Sequence, residues 1–229
     1  MRNWITVARW HLVQPLLWLA VPWAVVALNL AVNVLDRAIS RPGPSGGQTG
    51  SVATIFIIFL LFGVLSMVRS LPFALAMGIS RRSYYGGTLL LAVSVALVDG
   101  LLLAILQAVE RATGGWGVYL RFFRVEYLLQ GPWYLTWLTS FVVLTLIFVY
   151  GMWFGLVHRR WNVTGLLGFV IGQVVLAAIV VQFVDLHTGW SGVGSFFTAV
   201  TVSGTTGLAA VVALVLIAGG YAVIRRASV

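Results

Sequence analysis

Residues Thr88–Gln107 read TLLLAVSVALVDGLLLAILQ, and this stretch decides the fold, because it holds a single ionisable residue, Asp99. An α-helix of about 20 apolar residues is long enough to cross the hydrocarbon core of a bilayer. Such a helix closes its backbone hydrogen bonds within itself, so apolar side chains can face outward into lipid. The apolar residues run continuously and do not alternate, which argues against a membrane β-barrel. Other stretches read the same way, and the candidate spans run over 15–35, 52–68, 85–107, 135–157, 163–184 and 204–224. The whole composition agrees: of 229 residues, 61% are hydrophobic and 8% are charged, where a soluble domain carries about 25% charged residues. The expected fold is all-α, a single domain over 1–229 that crosses the membrane six times. The first span is followed by Asn33, Asp36 and Arg37 and has no small-residue cleavage site, so it reads as a span rather than as a cleaved leader.

Orientation follows from arginine. With the N-terminus inside, the inner segments hold Arg2, Arg9, Arg69, Arg81, Arg82, Arg159, Arg160, Arg225 and Arg226 and no acid. The outer segments hold Arg37, Arg41, Arg111, Arg121 and Arg124 with Asp36, Glu110, Glu126 and Asp185. Basic residues concentrate on the cytoplasmic side of membrane proteins, which puts both termini there. A basic inner face opposite anionic lipid accounts for the net charge of +9 without nucleic acid. The sequence has no lysine, which fits GC-rich codon usage and a bacterial source.

The connections differ in character. Residues 41–50 (RPGPSGGQTG) form an outer loop of turn formers. The outer stretch 108–134 is long and aromatic. Tyr119, Phe122, Phe123 and Tyr127 recur there at helical spacing, with Arg121 and Arg124 turned largely away. That spacing predicts an amphipathic helix in the outer headgroup layer, either a plain anchor or a lateral gate for an amphipathic substrate. Trp116, Trp133 and Tyr134 would belong to the interfacial aromatic belt. Between Asp185 and Thr206 the chain is broken by glycines yet keeps the apolar piece Ser195–Val202, which is too short to span alone. A short helix dipping into the outer leaflet fits it. At the other end, Arg2, Thr6 and Arg9 share one helical face of residues 1–14, and Ile5, Ala8 and Leu12 share another. This reads as an interfacial helix stopped by Pro15, or as an extension of the first span with snorkelling arginines.

Chemistry is sparse. Without lysine there is no Walker A sequence, so the chain is no P-loop ATPase by itself. There is no cysteine, and His11, His158 and His187 are far apart, so no zinc or di-iron pattern forms. No Gly-x-Ser-x-Gly elbow occurs. No catalytic, cofactor or metal site is expected. Asn162-Val-Thr164 matches a glycosylation sequon but falls on the cytoplasmic side. Asp99 is the one ionisable residue inside a span, with Gln107 two turns on. It is either a polar contact along a pathway or between helices, or lies near enough to the outer interface to stay hydrated. Gly151-x-x-x-Gly155 and Gly168-x-x-x-Gly172 permit close helix packing.

The inner loop at 69–84 is neither short nor polar. Pro72 suits the first turn of a short helix and Gly78 its end. In the loop around Leu71–Met77, the residues Phe73, Leu75, Ala76 and Met77 would then present an apolar knob on the cytoplasmic side, with Arg81 and Arg82 following at the membrane surface. Such a knob fits the groove of a partner, or forms an elbow flattened on lipid.

This loop resembles the one between the second and third helices in permease subunits of ABC-2 type bacterial exporters. The resemblance lies in Pro72-Phe73-Ala74-Leu75-Ala76-Met77-Gly78-Ile79-Ser80-Arg81-Arg82, followed by Tyr84, Tyr85, Gly87 and Thr88. His158-Arg-Arg-Trp-Asn162 resembles the family's second basic inner loop. The layout is also similar, with an N-terminal interfacial helix, six spans and a broken outer segment before the last. The motif covers only about 20 residues, and the loop at 108–134 departs from the family pattern. The resemblance implies a permease subunit in the bacterial cytoplasmic membrane. Its inner loop would be a coupling helix seated in a separate cytoplasmic ATPase, which binds the ATP and Mg. Two permeases, identical or paralogous, would join two ATPase subunits. A self-sufficient secondary transporter or channel is the alternative, and a membrane enzyme or anchor subunit a third.

Overall fold

A computed structural model describes residues 15–40, 47–48, 52–123, 132–187 and 202–226. The expected interfacial helix at 1–14 lies outside the described residues, as do most of the glycine-rich loop and residues 124–131; of the broken segment expected between Asp185 and Thr206, residues 185–187 and 202–206 are helical and 188–201 lie outside the described residues.

Apolar sequence becomes helix almost throughout. Helix α1 covers Pro15–Ser40, α2 Ala53–Leu65, α3 Leu71–Ala76, α4 Arg81–Ala112, α5 Trp133–His187 and α6 Val202–Arg226. Five continuous helical stretches are long and apolar enough to cross a membrane: Ala20–Ser40, Ala53–Ala76, Arg81–Ala112, Trp133–Leu186 and Val202–Arg225.

The 55-residue α5 is not one straight rod. Asn162 has φ 54 and ψ −152, which breaks the helix into two arms, 133–161 and 163–187. The Tyr150 hydroxyl donates to Gln173 Oε1 at 2.5 Å. The rings of Phe154 and Phe169 meet edge to face at 5.2 Å. Residues 150 and 173 would be about 35 Å apart in a straight helix, so the arms fold back on each other as an antiparallel hairpin. Both contacts are centred on Trp161 and Asn162. Gly165 makes the turn possible, because a Cβ there would lie 2.0 Å from Trp161 Cβ.

The second expected span does not end near residue 68. A π-helical turn at Ser66–Ser70 carries α2 directly into α3. The physical reason is Pro72, which has no N–H to continue the α-helical ladder. A single wide turn is how a helix absorbs such a mismatch without breaking.

Close backbone packing joins α2 to the first arm of α5. A Cβ on Gly63 would sit 2.1 Å from the Phe148 carbonyl oxygen, and one on Gly151 would sit 2.2 Å from that of Leu60. At Gly155 it would meet Met67 Cβ at 2.5 Å. Where lipid supplies no hydrophobic drive between helices, this kind of approach provides the van der Waals contact that holds them. Phe59, Met67, Tyr84, Leu103, Phe148 and Met152 are buried around it. The side chains of α1 from Ala20 on and of the second arm are mostly exposed.

The loop after α4 differs from the amphipathic helix its spacing predicts. Residues 108–112 complete α4, and Trp133 and Tyr134 open α5. Gly115–Tyr119 forms a tight turn in which Trp116, Gly117 and Tyr119 have positive φ. Leu120–Arg121 (β2) then pairs in parallel with Gly47–Gln48 (β1). Phe122 and Phe123 turn inward and are buried, 4.7 Å apart ring to ring. The cause is Glu110. Its Oε2 accepts from the backbone N–H of Phe122 at 3.0 Å and of Phe123 at 2.8 Å, and from Trp116 Nε1 at 3.3 Å. A carboxylate that collects backbone donors competes with any helix through those residues. Tyr127 lies outside the described residues.

Candidate functional site

The α3–α4 turn is capped on both sides. Gly78 N–H donates to Leu75 O and Ile79 N–H to Ala74 O, both at 3.0 Å. With Gly78 at φ 77, this is a Schellman ending, which a left-handed glycine provides without steric cost. Ser80 then caps α4, its Oγ accepting from Ser83 N at 3.2 Å. A turn closed by two local caps fixes the direction in which the flanking side chains point.

Leu71 and Ala74 face inward, at 4% and 0% exposure, while Phe73 and Met77 are 52% and 65% exposed. Leu75 is half-buried against the core. Pro72, Gly78 and Arg82 are exposed, and Arg81 is half-buried. One face of this short helix therefore docks on the bundle, the other carries the largely exposed Phe73 and Met77, and Arg81 and Arg82 open α4 shortly after it.

The basic turns come together at this end of the bundle. The Tyr84 hydroxyl donates to Ser66 O at 2.6 Å, which ties the start of α4 to the end of α2. Arg159 lies close enough to act electrostatically on the Tyr84 phenol. Arg160 stacks over the Trp161 ring at 4.9 Å. The Tyr85 hydroxyl donates to Ile217 O at 2.9 Å, and Trp153 Nε1 donates to Leu216 O at 2.9 Å, which brings in α6.

Asp99 stands apart from this cluster. It is fully buried, so the hydrated-interface reading does not hold. Its Oδ1 accepts from Trp23 Nε1 of α1 at 2.9 Å, while its Oδ2 has no hydrogen-bond partner among the described residues. Just past it, Gly100 lets α4 approach the backbone of Phe141, where a Cβ would lie 3.0 Å from the amide nitrogen. Asp99 is thus an interhelical contact.

The Trp23–Asp99 pairing is not legible in sequence, because 76 positions separate the two residues. Glu110 also escaped notice, since a carboxyl at a span's end reads as solvated. No group of three or more His, Cys, Asp or Glu that could hold a metal gathers among the described residues. No protein-family model matches this sequence, and no curated protein or solved structure matches it either.

Proposed function

We propose that this chain is the transmembrane permease subunit of an ATP-driven ABC-2 type exporter. It crosses the bacterial cytoplasmic membrane six times, with both termini inside and residues 1–14 as an interfacial helix. The two arms of α5 supply the fourth and fifth spans, since each is long enough to cross about 30 Å of hydrocarbon. The expected broken outer segment precedes the last span. The working unit has two permeases, identical or paralogous, and two copies of a cytoplasmic ATPase that binds ATP and Mg.

The observation that carries this reading is the doubly capped turn from Leu71 to Arg82, with Phe73 and Met77 turned away from the bundle. Beside it stands the motif resemblance in the same residues. A half-exposed phenyl ring on a doubly capped turn, with arginine following in sequence, suits a groove in a second protein. Force made by ATP hydrolysis elsewhere would enter the membrane helices here, because α3 runs without interruption into α2. Truncating an aromatic anchor of this kind removes roughly 2–4 kcal/mol of binding. Phe73→Ala should therefore abolish or strongly weaken copurification of the ATPase while membrane insertion stays normal. Wild-type recovery of the ATPase with Phe73→Ala would end the coupling assignment.

The half-paired Asp99 favours a second reading, a secondary transporter or channel in which this carboxyl lines the pathway. That reading predicts full function from the chain alone, with no ATPase bound.

A further inference from the structure

The loop after α4 is strained where it turns. Gly114, Gly115 and Gly117 have positive φ, which glycine tolerates, but Trp116 at φ 59 and Tyr119 at φ 57 lack that freedom. A side chain in the left-handed region persists only where its surroundings impose it. Two contacts do so here. The Oε2 of Glu110 accepts from Trp116 Nε1 and from the amides of Phe122 and Phe123. Leu120–Arg121 also pairs with Gly47–Gln48. Leu120, Phe122 and Phe123 are thereby buried against the bundle core. The turn touches both α1 and α4. A strained segment that covers helix ends and is gathered onto one carboxyl oxygen can be released at a single point.

What lies under it is polar. Gln107 is buried one turn below Glu110 on α4, and Asp99 is buried about 16 Å deeper than Glu110 along the same helix. Thr136 and Ser140 are buried one turn apart near the start of the first arm of α5. Asp99 and Ser140 flank one backbone contact, where a Cβ on Gly100 would lie 3.0 Å from Phe141 N. Asp99 Oδ2, Thr136 Oγ1 and Ser140 Oγ are all buried without a hydrogen-bond partner among the described residues. Unpartnered oxygens are costly among membrane helices, because lipid supplies no donor. Water suits this set, since it donates to a carboxyl oxygen and both donates to and accepts from a hydroxyl.

We propose that residues 113–123 form a lid latched by Glu110, and that its opening lets water into the bundle as far as Asp99. This inference rests on the membrane-spanning reading and not on the exporter reading.

The test uses the full-length chain in lipid nanodiscs, where both faces meet solvent and orientation does not matter. The native sequence has no cysteine, so one thiol at a time reports on water. Ser140→Cys is followed by its rate of reaction with a small cationic methanethiosulfonate. With the loop intact the reaction should be slow but go to completion. Losing hydrogen bonds to a carboxylate shifts an equilibrium at least about tenfold, so Glu110→Ala should speed labelling by that factor or more. Glu110→Gln keeps an acceptor oxygen and should fall between. Phe122→Ala trims the buried ring, leaves the latch, and should also speed labelling, which keeps the test decisive if the Glu110 variants fail to fold. Two positions serve as controls. Ser66→Cys, buried at the opposite end, should keep its rate in every background. Leu138→Cys, exposed on the flank of the first arm and so facing lipid, should stay unreactive. The lid is overturned if Ser140→Cys reacts at one rate in all backgrounds, or if Ser66→Cys speeds up by the same factor. Fast labelling of Leu138→Cys would instead bring down the membrane-spanning reading, and this inference with it.

Discussion

Two carboxyl groups show how much a single side chain decides in this protein. Asp99 joins α4 to α1 through the Trp23 indole, and α1 is also tied by Asn29, whose Nδ2 donates to Thr54 Oγ1 at 3.2 Å, and by buried Val26. Trp23→Phe leaves neither oxygen of Asp99 with a partner. Stranding a buried polar group costs about 1–3 kcal/mol, so this variant should unfold earlier in a denaturing-detergent titration. Asp99→Asn keeps an acceptor for Trp23 and should stay within about 1 kcal/mol of wild type by the same reasoning. Glu110 does comparable work at the other end of α4. Glu110→Ala strands the buried amides of Phe122 and Phe123 and should destabilise by at least about 2 kcal/mol. Limited proteolysis should then cut between Thr113 and Phe123, where wild type resists.

At the scale of the element, glycines sort into those in close contact and those in the open. Gly151→Ala drives a methyl into the Leu60 carbonyl, forces α2 from the first arm of α5, and should cost about 1–3 kcal/mol. Gly168→Ala meets nothing within 4 Å and should be neutral to within about 0.5 kcal/mol. The two Gly-x-x-x-Gly pairs are indistinguishable in sequence, yet Gly151 and Gly155 pack against α2 within the chain, while Gly168 and Gly172 face open space. Gly78→Ala has space but the wrong backbone, since φ 77 disfavours a Cβ by about 1 kcal/mol. It should loosen the α3–α4 turn without disturbing the bundle. These elements also mark what was legible beforehand. Apolar length announced the helices, and Pro72 with Gly78 announced the short helix and its end. The π-turn at Ser66–Ser70 was not legible, because a widened turn carries no composition of its own. The outer loop is not legible in sequence, because Tyr119, Phe122 and Phe123 have helical spacing while the Glu110 carboxyl, a non-local partner, holds the Phe122 and Phe123 amides in another conformation. Of the candidate site, the residues of the turn were visible from sequence. Which of them point outward was not, since that depends on α3 docking through Leu71 and Ala74.

At the scale of the whole molecule, the described contacts gather the arginine-rich turns at one end and the Glu110 loop with the β1–β2 pair at the other. In the proposed topology the first end is cytoplasmic. Because the native chain has no cysteine, Ser83→Cys introduces a single thiol beside the α3–α4 turn. An impermeant reagent should label it in inverted vesicles and not from outside intact cells, and the opposite pattern would reverse the orientation. The exposed side chains of α1 and of the second arm leave room for lipid or for a second permease on the flanks of the bundle. Assembly is therefore where the account is most directly tested. The measurement is the mass of the particle purified on this chain from its native membrane after mild cross-linking, with each component identified by peptide sequencing. Two permease chains are expected, at 24.9 kDa for each copy of this one, with two copies of a soluble subunit carrying a Walker A sequence. A functional particle that contains this chain and no nucleotide-binding subunit would contradict it.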